Sequence, residues 1–172
     1  TPRYSYSFRI EASWNGFDIS AFFQGVGKRD WYPAGESGLF WGQYDRPYGY
    51  SLPWQNADRW SEDTPNAYWP RLRGSLAVSG RGTLRAANDR YLQKARYCRL
   101  KNISLGYTFF PKWKGIKSIN VYASAQNLFT ITGYSWYDPD VNAYGNDVTR
   151  QGVDLYSYPS SRVYSFGLKL TF

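Results

Sequence analysis

The 172-residue chain contains no histidine, no methionine and a single cysteine. Without imidazole and with one thiol there is little to build a soft-metal site from, and no internal disulfide can form. Cys98 therefore reads as a small structural hydrophobe, and neither a metal nor a cofactor is expected. The missing methionine, with the opening TPRYSYSF, fits a mature chain or a piece of a longer one. No charged segment followed by an apolar core marks a targeting signal within it. Long apolar runs are absent too, whereas a spanning helix needs about 20 such residues. That excludes helical membrane insertion, but not a β-barrel, whose strands are apolar on one side only.

Aromatic residues are abundant, with 17 Tyr, 10 Phe and 8 Trp. They favour strands, water–lipid interfaces and platforms on which sugars or bases stack. The net charge of +8 points to acidic partners, anionic lipid such as lipopolysaccharide, or nucleic acid. Residues 71 to 101 carry nine basic side chains (Arg71, Arg73, Arg81, Arg85, Arg90, Lys94, Arg96, Arg99 and Lys101) against one acid, Asp89. A single-strand binder would interleave aromatics with such a cluster. Only Tyr91 and Tyr97 occur there, so no nucleic-acid partner is expected.

Hydrophobic alternation with period two defines the strands. Tyr4, Tyr6, Phe8, Ile10, Ala12 and Trp14 alternate with Ser5, Ser7, Arg9, Glu11 and Ser13. Asn15-Gly16 follows, a pair that tolerates the positive φ of a type I′ hairpin turn. Phe17, Ile19, Ala21 and Phe23 then face away from Asp18, Ser20 and Gln24. Further on, Ile103, Leu105, Tyr107 and Phe109 alternate with Asn102, Ser104, Gly106 and Thr108. Lys101 falls on the apolar side of that pattern, which implies a bulge there or an upper strand beyond the lipid. Ile119, Val121, Ala123 and Ala125 oppose Asn120, Tyr122, Ser124 and Gln126. Finally Tyr164, Phe166, Leu168, Leu170 and Phe172 oppose Val163, Ser165, Gly167, Lys169 and Thr171.

Strands are thus expected at about 4–14, 17–27, 96–110, 117–131 and 161–172, with long loops at about 28–90 and 133–160. Connections alternate short and long, as in outer-membrane barrels with short periplasmic turns and long extracellular loops. The expected fold is all-β, an antiparallel transmembrane β-barrel. Since bacterial barrels start at eight strands, five must be part of a larger one. A soluble β-sandwich carbohydrate-binding module is the alternative, but it turns every 8 to 12 residues, which the first long loop contradicts.

At RLKNISLGYTF (99–109), VYASAQNLFTITGYSWYDPDVN (121–142) and YPSSRVYSFGLKLTF (158–172) the chain resembles the C-terminal end of the SusC-like TonB-dependent transporters of Bacteroidetes outer membranes. FDISAFFQGVGKRDW (17–31) resembles the same family upstream, and the likeness is weakest between about Trp31 and Asn88. Cys98 stands where the family often has a small or apolar residue, and Ser161 where proline is common. The resemblance implies the last five strands of a 22-stranded barrel, in contact with the remainder of the barrel and a plug. It also implies a SusD-like surface lipoprotein as lid, energy from TonB, and oligosaccharide or peptide cargo. It further gives the terminal strand, Tyr164 to Phe172, a role as the signal read by the barrel-assembly machinery, alongside its place in a lipid-facing aromatic girdle.

Candidate substrate contacts are the loop aromatics Trp31, Trp41, Trp54, Trp60, Trp69, Tyr134, Trp136 and Tyr137, because flat rings match the apolar faces of sugars. The alternative is that they pack the loops on themselves or against the lid. Arg9, Glu11 and Asp18 are expected to form lumenal pairs or plug contacts. Asp138, Asp140 and Asn142 have the spacing that starts a calcium loop. Ala143 and Thr149 stand where that loop needs Gly and Glu, so a turn held by Asp side chains is the expectation. Nothing fixes the paired-carboxylate separation of a glycosidase, and no catalytic residue is assigned.

Overall fold

The computed structural model describes residues 2–33, 38–45, 50–72, 84, 86–140 and 158–172. These fall into two compact units, one holding residues 2–30, 94–140 and 158–172, the other the rest. No helix among the described residues is long and apolar enough to cross a membrane.

The first unit is built on five long antiparallel strands. They are β1 (Ser5–Trp14), β2 (Phe17–Val26), β5 (Tyr97–Phe109), β6 (Ser118–Thr132) and β7 (Val163–Thr171), paired in that order as a meander. Two-residue strands β3 (Asp30–Trp31) and β4 (Gln93–Lys94) form a separate pair. The β1–β2 turn has Asn15 at φ 49° and Gly16 at φ 87°, the left-handed pair that matches the twist of a tight hairpin. Thr108 N–H donates to the Gly16 carbonyl at 2.7 Å, and Lys117 N–H to that of Thr171 at 2.7 Å. Both short connections therefore lie at one end of the sheet.

The register carries the alternation across all five strands. One row runs Ala12, Ile19, Leu105, Ala123, Phe166; its neighbour on the other face runs Glu11, Ser20, Ser104, Ser124, Ser165. Among the described residues no layer covers the apolar face, and Phe166 is 85% and Trp14 78% exposed. Stacking holds it together laterally, with Phe8 and Phe23 centroids at 4.8 Å and Phe17 and Tyr107 at 4.5 Å. Outer edges of β1 and β7 have no strand partner among the described residues, as expected of a sheet cut from a closed barrel. The architecture is that of an antiparallel barrel wall.

Lys101 is the bulge. Opposite it β2 passes directly from Phe22 to Phe23, while β6 inserts Asn127 and Leu128 between Gln126 and Phe129. Each strand along this line carries one residue more than the last. Asn127 takes φ 51°, and its amide donates to the Ser161 carbonyl at 3.0 Å. The extra residues restore the phase, leaving Leu100 in the apolar row with Phe8, Phe23 and Phe129, and Asn102 in the polar row with Arg9 and Gln126. A one-residue slip would otherwise turn the strand inside out.

The second unit contains α1 (Gly38–Trp41), a 3-10 turn (Gly42–Tyr44) and α2 (Pro53–Ala57). The sequence shows no periodicity here because these pieces are held by a cluster of aromatic side chains rather than by a ladder. Pro53 opens α2 with its fixed φ. Gln55, 1% exposed, accepts from Leu52 N–H at 3.2 Å and donates to the Phe40 carbonyl at 2.7 Å, so its buried amide is used on both ends.

Glycines in the wall allow a graded test. A Cβ on Gly25 would lie 2.4 Å from the Tyr97 backbone carbonyl, whereas one on Gly167 would meet only the Tyr122 ring end, at 2.2 Å. A ring can swing away and a ladder carbonyl cannot. Gly25→Ala should therefore lower the fraction of full-length protein that assembles far more than Gly167→Ala, read as the heat-modifiable folded band on unheated gels. Equal yields would mean that the β2–β5 ladder tolerates the displacement.

Candidate functional site

Three groups of side chains lie on this frame. The first is the polar face. Arg9, Glu11 and Asp18 all stand on it, as expected from alternation. Arg9 and Glu11 pair at 3.5 Å with both side chains 61% exposed, and Arg9 also lies 5.6 Å over the Phe22 ring. Ser13 donates to Asp18 at 2.7 Å and Ser20 to Glu11 at 3.2 Å. Asn120 donates to the Thr108 hydroxyl at 2.7 Å on the same face. Such exposed pairs contribute little to stability. They make a wettable surface.

The second group, at the end of the sheet away from the short turns, pins the second long loop. Arg99 and Asp138 form an ion pair with side chains 4% and 7% exposed. Arg99 Nε also donates to Thr130 Oγ1 at 2.7 Å. Asp140 accepts from Lys101 at 2.6 Å and from the Tyr97 hydroxyl. Arg29 donates to the Pro139 carbonyl at 2.6 Å. Asp138 itself caps the turn, accepting Asp140 N–H at 2.9 Å, and reaches the far side of the loop through Ser160 N–H at 3.0 Å. Asp138 and Asp140 thus hold a turn and two cations. Asn142, Ala143 and Thr149 lie outside the described residues.

Burial alone would raise the Asp138 pKa, but the Arg99 hydrogen bond, the two backbone N–H groups and the Arg99 charge outweigh it and hold it below 3.8. Sequence reasoning missed the partners Arg99, Lys101, Arg29 and Tyr97. The one hint was a surplus of unmatched cations before residue 101 and two close acids at 138 and 140.

The third group is the aromatic cluster of the second unit. Phe40, Trp41, Trp69 and Tyr91 pack edge-to-face and tilted, with Trp69 and Tyr91 stacked, and centroids of the touching pairs are 5.0–6.1 Å apart. Trp31 joins through Phe40 at 5.6 Å and Trp54 through Trp69 at 5.3 Å. Buried polar ends are satisfied: Trp41 Nε1 donates to the Pro33 carbonyl at 2.6 Å, and the Tyr44 and Tyr91 hydroxyls to those of Pro70 at 2.6 Å and Tyr68 at 3.1 Å. Burial pushes the Tyr91 phenol up to about 12 despite Arg90. These rings form a core.

The structure therefore divides the eight candidate contacts. Trp41 is fully buried, and Trp69, Trp31 and Tyr134 are 2%, 5% and 7% exposed. This corrects the expectation for those four, because a ring without accessible surface packs its neighbours and has no face for a ligand. Trp54 and Tyr137 are 45% and 48% exposed, while Trp60 and Trp136 are half-buried. The basic stretch also turns partly inward, with Arg90 on the Tyr68 and Ala67 carbonyls and Arg99 and Lys101 in the ion network. Arg73, Arg81 and Arg85 lie outside the described residues.

Removing the Asp138 charge leaves a buried guanidinium poorly compensated, which costs about 3–5 kcal/mol. Asp138→Asn should abolish hydrogen-exchange protection at Tyr134 and Asp140 without unfolding β1 or β2. Because the folded pKa lies below its ordinary 3.8, this stabilisation is complete above that value and is lost as pH falls through the lowered one. Protection, corrected for intrinsic exchange, should stay constant from about pH 8 to about pH 5 and fail only in stronger acid. Loss at neutral pH would rule Asp138 out as the anchor.

No family model matches the chain. It is 30% identical over 185 residues to "TonB-dependent receptor P3" of Formosa agariphila, covering 100% of this chain and 16% of the relative. "TonB-dependent receptor P26" of the same organism is 27% identical over 178 residues, 99% of this chain and 17% of the relative. "TonB-dependent receptor SusC" of Bacteroides thetaiotaomicron is 34% identical over 102 residues, 57% of this chain and 9% of the relative. Among solved structures, the RagAB peptide importer superposes at TM-score 0.72 in its closed-closed state and 0.68 in its open-open state. Both are 24% identical and cover 100% of this chain and 17% of that one. The chain spans less than a fifth of the length of these relatives. Two unlike faces in register across a five-stranded meander, with sequence relatives matched over its whole length, make it a barrel segment of the SusC-like TonB-dependent receptor family.

Proposed function

We propose that the chain is part of an outer-membrane active importer of oligosaccharides or peptides, energised through TonB and working with a SusD-like surface lipoprotein. The observation that carries this reading is the sheet itself, with one continuous exposed apolar face for lipid and one hydroxyl-rich face for a wet interior. On this reading Arg9, Glu11 and Asp18 face the lumen or the plug. Tyr164, Phe166, Leu168, Leu170 and Phe172 face lipid, and the same strand is read by the assembly machinery. Among the loop aromatics, Trp54, Trp60, Trp136 and Tyr137 retain surface for cargo or lid. The solved neighbours named above carry the name peptide importer, which supports a peptide as much as a glycan here.

A soluble carbohydrate-binding sandwich fits less well. Its second sheet would cover the apolar face, and among the described residues the only other sheet is the two-residue pair β3–β4.

The native complex should therefore require detergent for extraction. Mass spectrometry of its polypeptides should find these peptides within a larger barrel-and-plug protein, accompanied by a SusD-like lipoprotein. A soluble monomer that binds sugar alone would overturn the importer. Within the importer, Trp54→Ala and Tyr137→Ala should lower uptake at unchanged barrel yield. Trp41→Ala should instead lose folded protein, since removing a buried aromatic side chain costs about 3–5 kcal/mol.

A further inference from the structure

One feature of the lipid-side face is not explained by spanning alone. At the end of the sheet away from the short turns, a depression of ≈ 460 Å³ opens among Tyr4, Tyr6, Cys98, Ile131 and Gly133, with Arg96 on its rim. Tyr6, Cys98 and Ile131 belong to the apolar face by register, and Tyr4, whose carbonyl accepts from Gly27 N–H at 3.1 Å, continues the alternation two residues before Tyr6. The two tyrosines lie flat over glycines, for a Cβ on Gly27 would sit 1.8 Å from the Tyr4 ring and one on Gly25 2.5 Å from that of Tyr6. The Tyr6 hydroxyl donates to the Tyr97 carbonyl at 3.3 Å. The rings are thus laid down as walls, and the space between them stays open.

Arg96 is exposed and forms none of the ion pairs among the described residues. Nearby acids are committed, Asp138 to Arg99 and Asp140 to Lys101. Its backbone is fixed, with its carbonyl accepting from Thr132 Oγ1 at 2.8 Å and the preceding Ala95 N–H donating to Arg29 at 2.8 Å. A guanidinium on the lipid side of a barrel is costly in hydrocarbon and favourable at the headgroup level, where phosphate supplies a bidentate acceptor. An aromatic girdle marks that level, and Tyr4 and Tyr6 stand there.

We propose that this depression is a headgroup site for a phosphorylated lipid of the leaflet on the long-loop side. Arg96 binds the phosphate, Tyr4 and Tyr6 flank it, and an acyl chain lies against Ile131. The proposal rests on the barrel reading and adds a specific lipid contact to it.

The test uses the full-length receptor in detergent, exposed to bisphosphorylated lipid A and analysed by native mass spectrometry. Arg96→Gln should retain about fivefold less lipid, the factor one interfacial cation supplies. Arg96→Lys should retain most of it. Lys114→Gln, in the short turn at the opposite end, should match the wild type. Wild-type receptor should likewise retain about fivefold less of a lipid A stripped of its phosphates, a comparison that needs no variant to fold. Equal retention in either comparison overturns the headgroup site. A receptor that still needs detergent would leave the barrel intact in that case, whereas one soluble without it would remove both readings.

Discussion

The structure depends on one constraint, that every residue of the five-stranded meander keeps the side of the sheet that alternation gives it. A shift of one residue would carry Ile19, Leu105, Ala123 and Phe166 to the hydroxyl face and Ser20, Ser104, Ser124 and Ser165 to the apolar one. Few wall side chains are buried to resist such a slip, Leu100, Ile119 and Ala125 being the main apolar ones among the described residues of β5 and β6. Register is held instead by the left-handed turn at Asn15 and Gly16, by cross-strand rings such as Phe8 on Phe23, and by the bulge at Lys101.

That bulge also explains the ion network. By adding one residue to β5 and two to β6, it lets the strands above it keep apolar residues outward while Arg99 and Lys101 turn toward Asp138 and Asp140. A buried ion pair is weak evidence for net stability, because desolvation offsets much of the attraction. Here its value is geometric. Asp138 binds Arg99 on a strand, Asp140 N–H in its own turn and Ser160 N–H across the loop, so one carboxylate fixes three separate backbone segments.

The strands were legible because period two is a local property: each apolar residue two positions from the last declares its face without reference to anything distant. Lys101 was legible as an anomaly for the same reason, although the alternation alone left a bulge and an exposed upper strand both open. The ion network was not legible, since Arg99 and Asp138 lie far apart in the chain and only the β5–β6 pairing brings them together. The Asp spacing did identify a side-chain-held turn. The loop tryptophans failed differently. Composition supplied rings suited to stacking, but a ring that binds and a ring that packs are the same residue, and burial alone separates Trp41 and Trp69 from Trp54. Three of the eight candidates, Trp31, Trp41 and Trp69, fell on a core that lacks any periodic pattern.

Wall and loop satisfy the demand for burial by opposite means. The wall leaves many of its large side chains exposed on one face, among them Phe8, Ile19, Leu105, Val121 and Phe166, and because the opposite face of each strand is polar its average hydropathy stays low. The loop unit encloses its own rings, with Phe40, Trp41, Trp69 and Tyr91 in mutual contact and hydroxyl or indole donors placed on backbone carbonyls. A connection that packs on its own side chains can vary in sequence without altering the alternation that sets the strand register.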